Sequence, residues 1–237
     1  MRVLVTGSSG HLGEALVRSL KTTEHEVVGV DILPSDFTNK VGSIVDRDHV
    51  KRCVQGVDAI LHTATLHKPH VVTHSRQSFV DTNITGTLNL LEEAVSAGVR
   101  VFVFTSTTSA FGGALTPPPE APATWVTEDV TPIPKTTPFT PDDLFDLRAN
   151  APSVLKRRIP EYEPEYARRG WRMFPGIERV YVNARARKEL GWRPRYDFVH
   201  VLNNLKAGTD PRSLLSRVVG SKGYHANKFR ESPYPVA

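Results

Sequence analysis

Residues 2–13 read RVLVTGSSGHLG, an apolar run of strand length that leads directly into a loop with three glycines. Apolar residues then recur at helical spacing between residues 12 and 20, and a second apolar run, Glu26–Val30, ends at Asp31. The order is therefore strand, glycine-rich loop, helix, strand and acid. A glycine triplet alone also occurs in ordinary turns, but the strand before it and the acid about 20 residues further on favour the opening of a doubly wound parallel sheet.

Each glycine of this loop has its own physical role. Gly7 permits the tight turn after the strand, Gly10 lets the backbone approach a pyrophosphate, and Gly13 allows the helix to pack closely on the strand. A pyrophosphate then lies at a helix N-terminus, where free N–H groups and the helix dipole favour negative charge. The pattern predicts a dinucleotide-binding βαβ unit.

Asp31 predicts which dinucleotide binds. A carboxylate at the end of the second strand accepts hydrogen bonds from the adenosine ribose hydroxyls and repels a 2′-phosphate. Residues 32–34 read ILP, with no base among them. We therefore expect NAD rather than NADP, with a simple turn-capping role for Asp31 as the alternative.

The rest of the first half continues the alternation of strands and helices. A polar helical stretch ends near Gln55, residues 59–61 read as a third strand, and an amphipathic helix over residues 79–95 closes near Gly98. Val101–Phe104 reads as a buried strand. We predict an α/β fold, with a Rossmann-type doubly wound parallel sheet and a small, mostly helical C-terminal part.

Composition narrows the class of protein further. Of the 237 residues, 39% are hydrophobic and 23% charged, close to the globular norm. The formal charge is +5, but acidic residues interrupt the basic C-terminal part and no nucleic-acid-binding motif is present, so we expect no nucleic-acid partner and no membrane span. The lone cysteine, Cys53, excludes a disulfide framework, and an N-terminus that enters a strand at once predicts a cytoplasmic protein.

Residues 1–135 resemble the N-terminal half of an extended short-chain dehydrogenase/reductase of the NAD-dependent epimerase/dehydratase family. Five motifs carry the resemblance in order: TGSSGHLG (6–13), GSIVDRD (42–48), HTATLHKPH (62–70), DTNITGTLNLLEEA (81–94) and FVFTSTTSAFGG (102–113). They are similar to the family's glycine motif, adenine-side acid, H-x-A-A segment, N-x-x-G-T helix and S-S-S/T-x-x-Y-G segment. The match implies NAD as the cofactor, a Rossmann domain at 1–135 and a substrate-side segment at 136–237.

The resemblance also implies roles for individual residues. Asp46 is expected near the adenine, Ala64 along the cofactor, and Thr107 in the place of the catalytic Ser/Thr. No metal site is implied. The implied cofactor-binding residues are Gly7, Ser9, Gly10, His11, Leu12, Gly13, Asp31, Asp46, Ala64, Asn83 and Thr105.

The family's catalytic Y-G-x-x-K segment is missing from its expected place. Residues 127–134 read TEDVTPIP, and Lys135 then runs directly into TTPFTP. Residues 180–196, VYVNARARKELGWRPRY, resemble the family's closing segment. In the family the tyrosine serves as general acid/base, so we predict a slow NAD-dependent oxidoreductase or epimerase acting on a nucleotide sugar or secondary alcohol. The alternative is a dinucleotide-binding protein without efficient catalysis.

Several groups could replace the missing base. Residues 224–228, YHANK, match Y-x-x-x-K but lie near the C-terminus. Four histidines have three interpretations: one of them acts as an acid/base, their spacing suits a metal ion, or they belong to an ordinary polar loop. They are His62, His67, His70 and His74. The tyrosine candidates, which the sequence does not rank, are Tyr162, Tyr166 and Tyr181.

The expected partners are a small-molecule substrate and a second copy of the chain. The resemblance implies a dimer interface in which each subunit contributes two helices, and one of these is the helix that contains Asn83. Apolar surface left on that helix predicts a homo-oligomer.

Overall fold

A computed structural model describes residues 1–107, 116–118, 120–126 and 137–222. The chain divides into two compact units, Met1–Thr105 with Ser213–Ala237, and Ser106–Arg212. The strands are β1 (Arg2–Thr6), β2 (Glu26–Asp31), β3 (Lys40–Val41), β4 (Ala59–His62), β5 (Val101–Phe104), β6 (Thr124–Val126) and β7 (Arg179–Tyr181). The helices are α1 (His11–Leu20), α2 (Arg47–Cys53), α3 (Arg76–Val80), α4 (Gly86–Ser96), α5 (Leu144–Arg158), α6 (Tyr162–Arg169), α7 (Ala184–Leu190), α8 (Phe198–Lys206) and α9 (Leu214–Val219). The predicted domain boundary at residue 135 lies outside the described residues and stays a prediction.

The first unit is built on a parallel sheet with strand order β3-β2-β1-β4-β5. On one face of the sheet, Val3 and Val5 pack with Val17 of α1. On the other face, the core includes Leu4 and Leu90 and takes in residues of α2 and α4. Helices therefore cover both faces of a parallel sheet, which confirms the predicted Rossmann-type α/β fold.

The predicted burial of β5 is wrong for most of its residues. Val101, Val103 and Phe104 are exposed, although all three are strongly apolar. Within the described residues β5 pairs only with β4 and forms one edge of the sheet, so neighbours enclose it from one side only. An apolar run predicts a strand correctly, but its burial depends on what lies beside it.

The long amphipathic helix is interrupted by a wider turn. Between α3 and α4, residues Asp81–Thr85 adopt π-helical geometry, and the chain continues without leaving the helical region. The helix ends at Ser96, and Gly98 takes a positive φ of 73° shortly after it, as its sequence position predicts. Insertions of this kind often mark functional positions, and this one contains Asn83.

The second unit has its own core around α5. Buried Leu147, Val154 and Leu155 of this helix pack with Tyr162 of α6 and Leu202 of α8. Two short parallel strands, β6 and β7, form a separate sheet in this unit. In the described part of the chain, no helix is long and apolar enough to cross a membrane.

Candidate functional site

The glycine-rich loop joins β1 to the N-terminus of α1. Gly7 has φ +72°, and a Cβ there would lie 2.8 Å from the amide nitrogen of Ala64. A Cβ on Gly13 would lie 1.9 Å from the carbonyl oxygen of Gly7, so only glycine lets α1 approach the strand. A Cβ on Gly10, which caps the start of α1, would meet only the Gly7 carbonyl oxygen, at 3.1 Å. The space beyond Gly10 is therefore open, as close approach of a pyrophosphate requires.

Asp31 is held rigidly at the end of β2. Its Oδ2 accepts a hydrogen bond from the backbone N–H of Ser9 at 3.0 Å, and its Oδ1 accepts one from the N–H of Leu33 at 2.9 Å. The first bond ties the carboxylate to the glycine-rich loop, and the second is the turn-capping interaction of the alternative interpretation. Each oxygen retains accepting capacity, so capping and ribose binding are compatible.

A cluster of hydroxyl groups joins the same loop to the segment after β2. Thr38 Oγ1 lies 3.0 Å from Ser8 Oγ, 2.9 Å from Ser9 Oγ and 3.0 Å from Ser35 Oγ. Of this cluster only Ser9 is predicted from the sequence, and Ser8, Ser35 and Thr38 are not. Serine and threonine are common in loops, so their presence alone carries no signal for a shared cluster.

His62 is buried at the end of β4, with 1% of its surface exposed, between Thr6 and Thr87. The N–H groups of Thr63 and Ala64 donate to Thr6 Oγ1 at 3.2 and 3.3 Å. The Thr6 hydroxyl must therefore donate to His62 Nδ1, 2.6 Å away, which leaves Nε2 to donate to Thr87 Oγ1 at 3.0 Å. Burial lowers the pKa of His62 to about 4, so the imidazole is neutral near pH 7.

Asn83 clamps the loop that follows β4. Its Oδ1 accepts the backbone N–H of Leu66 at 2.8 Å, and its Nδ2 donates to the Leu66 carbonyl at 2.7 Å. The hydroxyl of Thr65 also donates to Asn83 Oδ1, at 3.1 Å. The amide of Asn83 thus holds the loop after β4 in place, and its predicted contact with the cofactor stays a prediction.

The other predicted residues lie at the ends of strands and helices. His11 and Leu12 are exposed in the first turn of α1, and Thr105 follows β5 and donates its N–H to the His62 carbonyl at 3.0 Å. Asp46 caps α2 by accepting the N–H of His49 at 3.0 Å. Thr107, the predicted catalytic residue, is exposed and belongs to the second unit.

The carboxyl ends of parallel strands meet at one edge of a sheet, and most of the predicted residues follow such ends. Gly7 and Thr105 directly follow β1 and β5, Asp31 is the last residue of β2, and Ala64 lies two residues after β4. Hydrogen bonds connect the loop after β1 to the end of β2, and the last residue of β1, Thr6, to the loop after β4. Hydrogen bonds therefore connect neighbouring segments along this edge, and the Asp31 carboxylate lies beside the glycine-rich loop.

The other three candidate histidines form a row of edge-to-face contacts on the segment after β4. The ring centroids of His67 and His70 lie 4.8 Å apart, and those of His70 and His74 lie 5.4 Å apart. Within the described ranges, no group of three histidine, cysteine or acidic side chains could hold a metal ion. A cavity of about 330 Å³ nearby is lined by Val71, His74, Arg76 and Phe79, of which only His74 is among the candidate acid/base groups.

Comparison with known proteins places this geometry in a family. The chain is 38% identical over 122 residues to a 3-beta-hydroxysteroid dehydrogenase of Mycolicibacterium neoaurum, a match covering 47% of this chain and 33% of that protein. It is 32% identical over 154 residues to a UDP-glucose 4-epimerase of Erwinia amylovora, covering 58% of this chain and 43% of that protein. A solved short-chain dehydrogenase/reductase superfamily protein of Agrobacterium tumefaciens with bound NAD is 34% identical, with a TM-score of 0.45 over 57% of this chain and 40% of that one.

The chain spans about a third to two fifths of the length of these relatives. The model of the NAD-dependent epimerase/dehydratase family matches residues 3–140, more than half of the chain. This agrees with the five motifs that predicted the family and with NAD as its cofactor. On that match, the chain belongs to the NAD-dependent epimerase/dehydratase family.

Proposed function

We propose that the first unit binds NAD along the carboxyl edge of its sheet. The observation that carries this proposal is the glycine-rich loop joined to Asp31 through the Ser9 amide. The N–H groups in the first turn of α1 would bind the pyrophosphate, and Asp31 would accept hydrogen bonds from the adenosine ribose hydroxyls. His11 and Leu12 would lie against the dinucleotide, with Ala64 and Thr105 further along the edge.

The proposed reaction is oxidation or epimerisation at a carbon that carries a hydroxyl group. NAD, when bound, supplies an acceptor for the hydride that leaves this carbon. The substrate class we propose is a nucleotide sugar or another secondary alcohol, since the names of the relatives include a UDP-glucose epimerase and a hydroxysteroid dehydrogenase. Thr107 would hydrogen-bond the reacting oxygen, but its own high pKa prevents it from taking the hydroxyl proton at neutral pH.

Slow turnover is part of the proposal because the family's Y-G-x-x-K segment is missing from its expected place and three of the candidate bases are poorly suited to take a proton. His62 is enclosed with both ring nitrogens hydrogen-bonded, and Tyr162 is buried with its hydroxyl donated to the Pro152 carbonyl at 3.1 Å. Burial raises the pKa of Tyr162 and of Tyr166, which opposes the loss of their protons. The YHANK match at 224–228 lies outside the described residues. These observations also support the second candidate, a dinucleotide-binding protein without efficient catalysis.

A turnover assay separates the two candidates. Formation of NADH is followed with a panel of nucleotide sugars and secondary alcohols, and epimerised products are analysed by chromatography. We expect activity lower than that of an intact relative by about 10²–10⁴-fold, the usual contribution of a positioned acid/base. Thr107→Ala should abolish it, while Thr22→Ala, at an exposed threonine after α1, should not. NAD binding without turnover would support the second candidate, and full-speed turnover unaffected by Thr107→Ala would refute the placement of the active site.

We also propose that two copies of the chain associate through the helix that contains Asn83. An apolar stripe along α3, the π-helical turn and α4 is exposed, and its members are Val80, Ile84, Leu88, Leu91 and Val95. Their spacing of three or four residues places them on one side of the helix. Light scattering should give a particle larger than a monomer, and Leu88→Glu should dissociate it, whereas Ser96→Glu should not. A monomer at tens of micromolar for the unaltered protein would contradict the proposal.

A further inference from the structure

The segment Ser213–Lys222 belongs to the first unit, although about 100 residues of the second unit precede it in sequence. Its helix α9 contributes Val219, which is buried. At its end, the Lys222 ammonium forms an ion pair with the Glu14 carboxylate and donates to the Ser9 carbonyl at 3.4 Å. Lys222 therefore contacts both parts of the proposed phosphate site, the glycine-rich loop and the first turn of α1.

Glu14 explains why a cation is needed at this point. Only 2% of the residue is exposed, and its carboxylate lies in the first turn of α1, with Arg18 Nε at 2.7 Å as its second cationic partner. A buried carboxylate requires compensation by paired cations. Its position one turn from the proposed pyrophosphate adds a second requirement, because an unpaired negative charge there would repel the phosphates.

Ser9 connects Lys222 to the ribose side of the same site. Its carbonyl accepts from Lys222, while its N–H donates to Asp31 Oδ2 at 3.0 Å. The negative charge of Asp31 thus holds the N–H of Ser9, and the positive charge of Lys222 holds its carbonyl. The Lys222 ammonium also lies 5.8 Å from the centre of the Phe37 ring, over which the Arg18 guanidinium stands at 4.5 Å.

We propose that Lys222 is a positioning residue of the dinucleotide site, acting through Ser9 and Glu14. This inference rests on the proposed NAD site in the first unit. Lys222 fixes the turn that presents Ser9 to Asp31 and neutralises Glu14 beside the phosphates. Because coupling between two sites is reciprocal, NAD binding should also tighten the docking of the segment Ser213–Lys222.

The test combines NAD affinity with amide hydrogen exchange on the full chain. Lys222→Met should weaken NAD binding about fivefold, which is the lower end of the coupling usually found between two sites. Lys222→Arg should restore most of the lost affinity. The control is Arg217→Met, which removes the same charge from an exposed position on α9. In the unaltered protein, NAD should slow exchange at Ser213–Lys222, and Lys222→Met should abolish this protection.

A second variant distinguishes a specific loss of NAD binding from a loss of folding. Lys222→Met leaves Glu14 with Arg18 alone, so Lys222→Met with Glu14→Gln removes the charge imbalance. This double variant should regain thermal stability without regaining NAD-dependent protection of α9. Equal NAD affinity in Lys222→Met and Arg217→Met would overturn the inference and leave the NAD site intact. Failure of the unaltered protein to bind NAD would overturn the proposed function and the inference with it.

Discussion

The two units use their buried polar groups in different ways. In the first unit, the Thr6 hydroxyl and the Asn83 amide bind backbone atoms of the loop after β4, and the His62 imidazole lies between the hydroxyls of Thr6 and Thr87. In the second unit, the buried carboxylates of Asp143 and Glu165 are enclosed by arginines. The first arrangement fixes the shape of loops, whereas the second neutralises charge inside the unit.

The carboxylates of the second unit show what such pairing does to their ionisation. Hydrogen bonds from Arg168 and Arg169 lower the pKa of Glu165 to about 2. Burial acts to raise the pKa of Asp143, but hydrogen bonds from Arg158 and other donors bring it below its usual value. These carboxylates stay ionised at neutral pH beside arginines of their own unit, so their pairing contributes to the stability of the second unit.

The largest loss of NAD affinity is expected from a substitution that fills the space between α1 and the loop after β1. Gly13→Ala places a methyl group 1.9 Å from the Gly7 carbonyl oxygen, so the helix and the loop must move apart. We expect NAD affinity to fall by about 100-fold or more, since the phosphate site depends on this contact. The matched change is Gly191→Ala in the second unit, where a Cβ would meet nothing within 4 Å but φ is +62°. That variant should lose about 1–2 kcal/mol of stability and keep its NAD affinity, both measured by calorimetry.

Lowering the pH should weaken the first unit through His62. Its pKa is about 4 when folded and 6.5 in its ordinary state, so below pH 7 the unfolded chain binds a proton that the folded chain does not. Stability therefore falls as pH falls, by about 2 kcal/mol between pH 7 and pH 5 from this group alone.

Urea unfolding resolved by hydrogen exchange at β1 and β4 measures this loss. His62→Gln should be less stable at pH 7 but should show a flatter dependence on pH over the same interval. Glu165→Gln should destabilise the second unit and leave the pH response of β1 and β4 unchanged. An unaltered pH slope in His62→Gln would show that the buried imidazole is not the titrating group.

A smaller loss of NAD affinity is expected from removing the Asp31 carboxylate, the proposed acceptor for the adenosine ribose hydroxyls. Asp31→Ala removes the proposed acceptor and also the repulsion of a 2′-phosphate, so NAD should bind about tenfold more weakly while NADP changes less. Asp36→Ala, which removes the same charge from an exposed loop position, is the control. An unchanged ratio of the two affinities in Asp31→Ala would assign Asp31 to turn capping alone.

Sequence reasoning worked best where the pattern is local. The bounds of β1 and the role of Gly13 follow from a few consecutive residues, and the structure has both. The pairing of Glu14 with Lys222 joins residues far apart in sequence, so no periodicity or spacing could reveal it. The same holds for the parallel pairing of β6 with β7, in which Thr124 lies opposite Arg179.

Side-chain roles were harder to predict than positions. Asn83 is predicted from a family motif, but the motif does not predict that its amide binds both backbone groups of Leu66 or that it lies in a π-helical turn, which has no simple sequence signal. Phe104 was expected to be buried because it is apolar, and is exposed because β5 is an edge strand within the described residues. Local composition specifies the element, whereas its environment depends on the rest of the molecule.

Isothermal titration of the unaltered protein with NAD and with NADP tests the central claim most directly. We predict that NAD binds with one site per chain and more tightly than NADP, because the Asp31 carboxylate is fixed beside the glycine-rich loop and residues 32–34 supply no base. Tighter binding of NADP, or no binding of either dinucleotide, would contradict the assignment of the carboxyl edge as an NAD site.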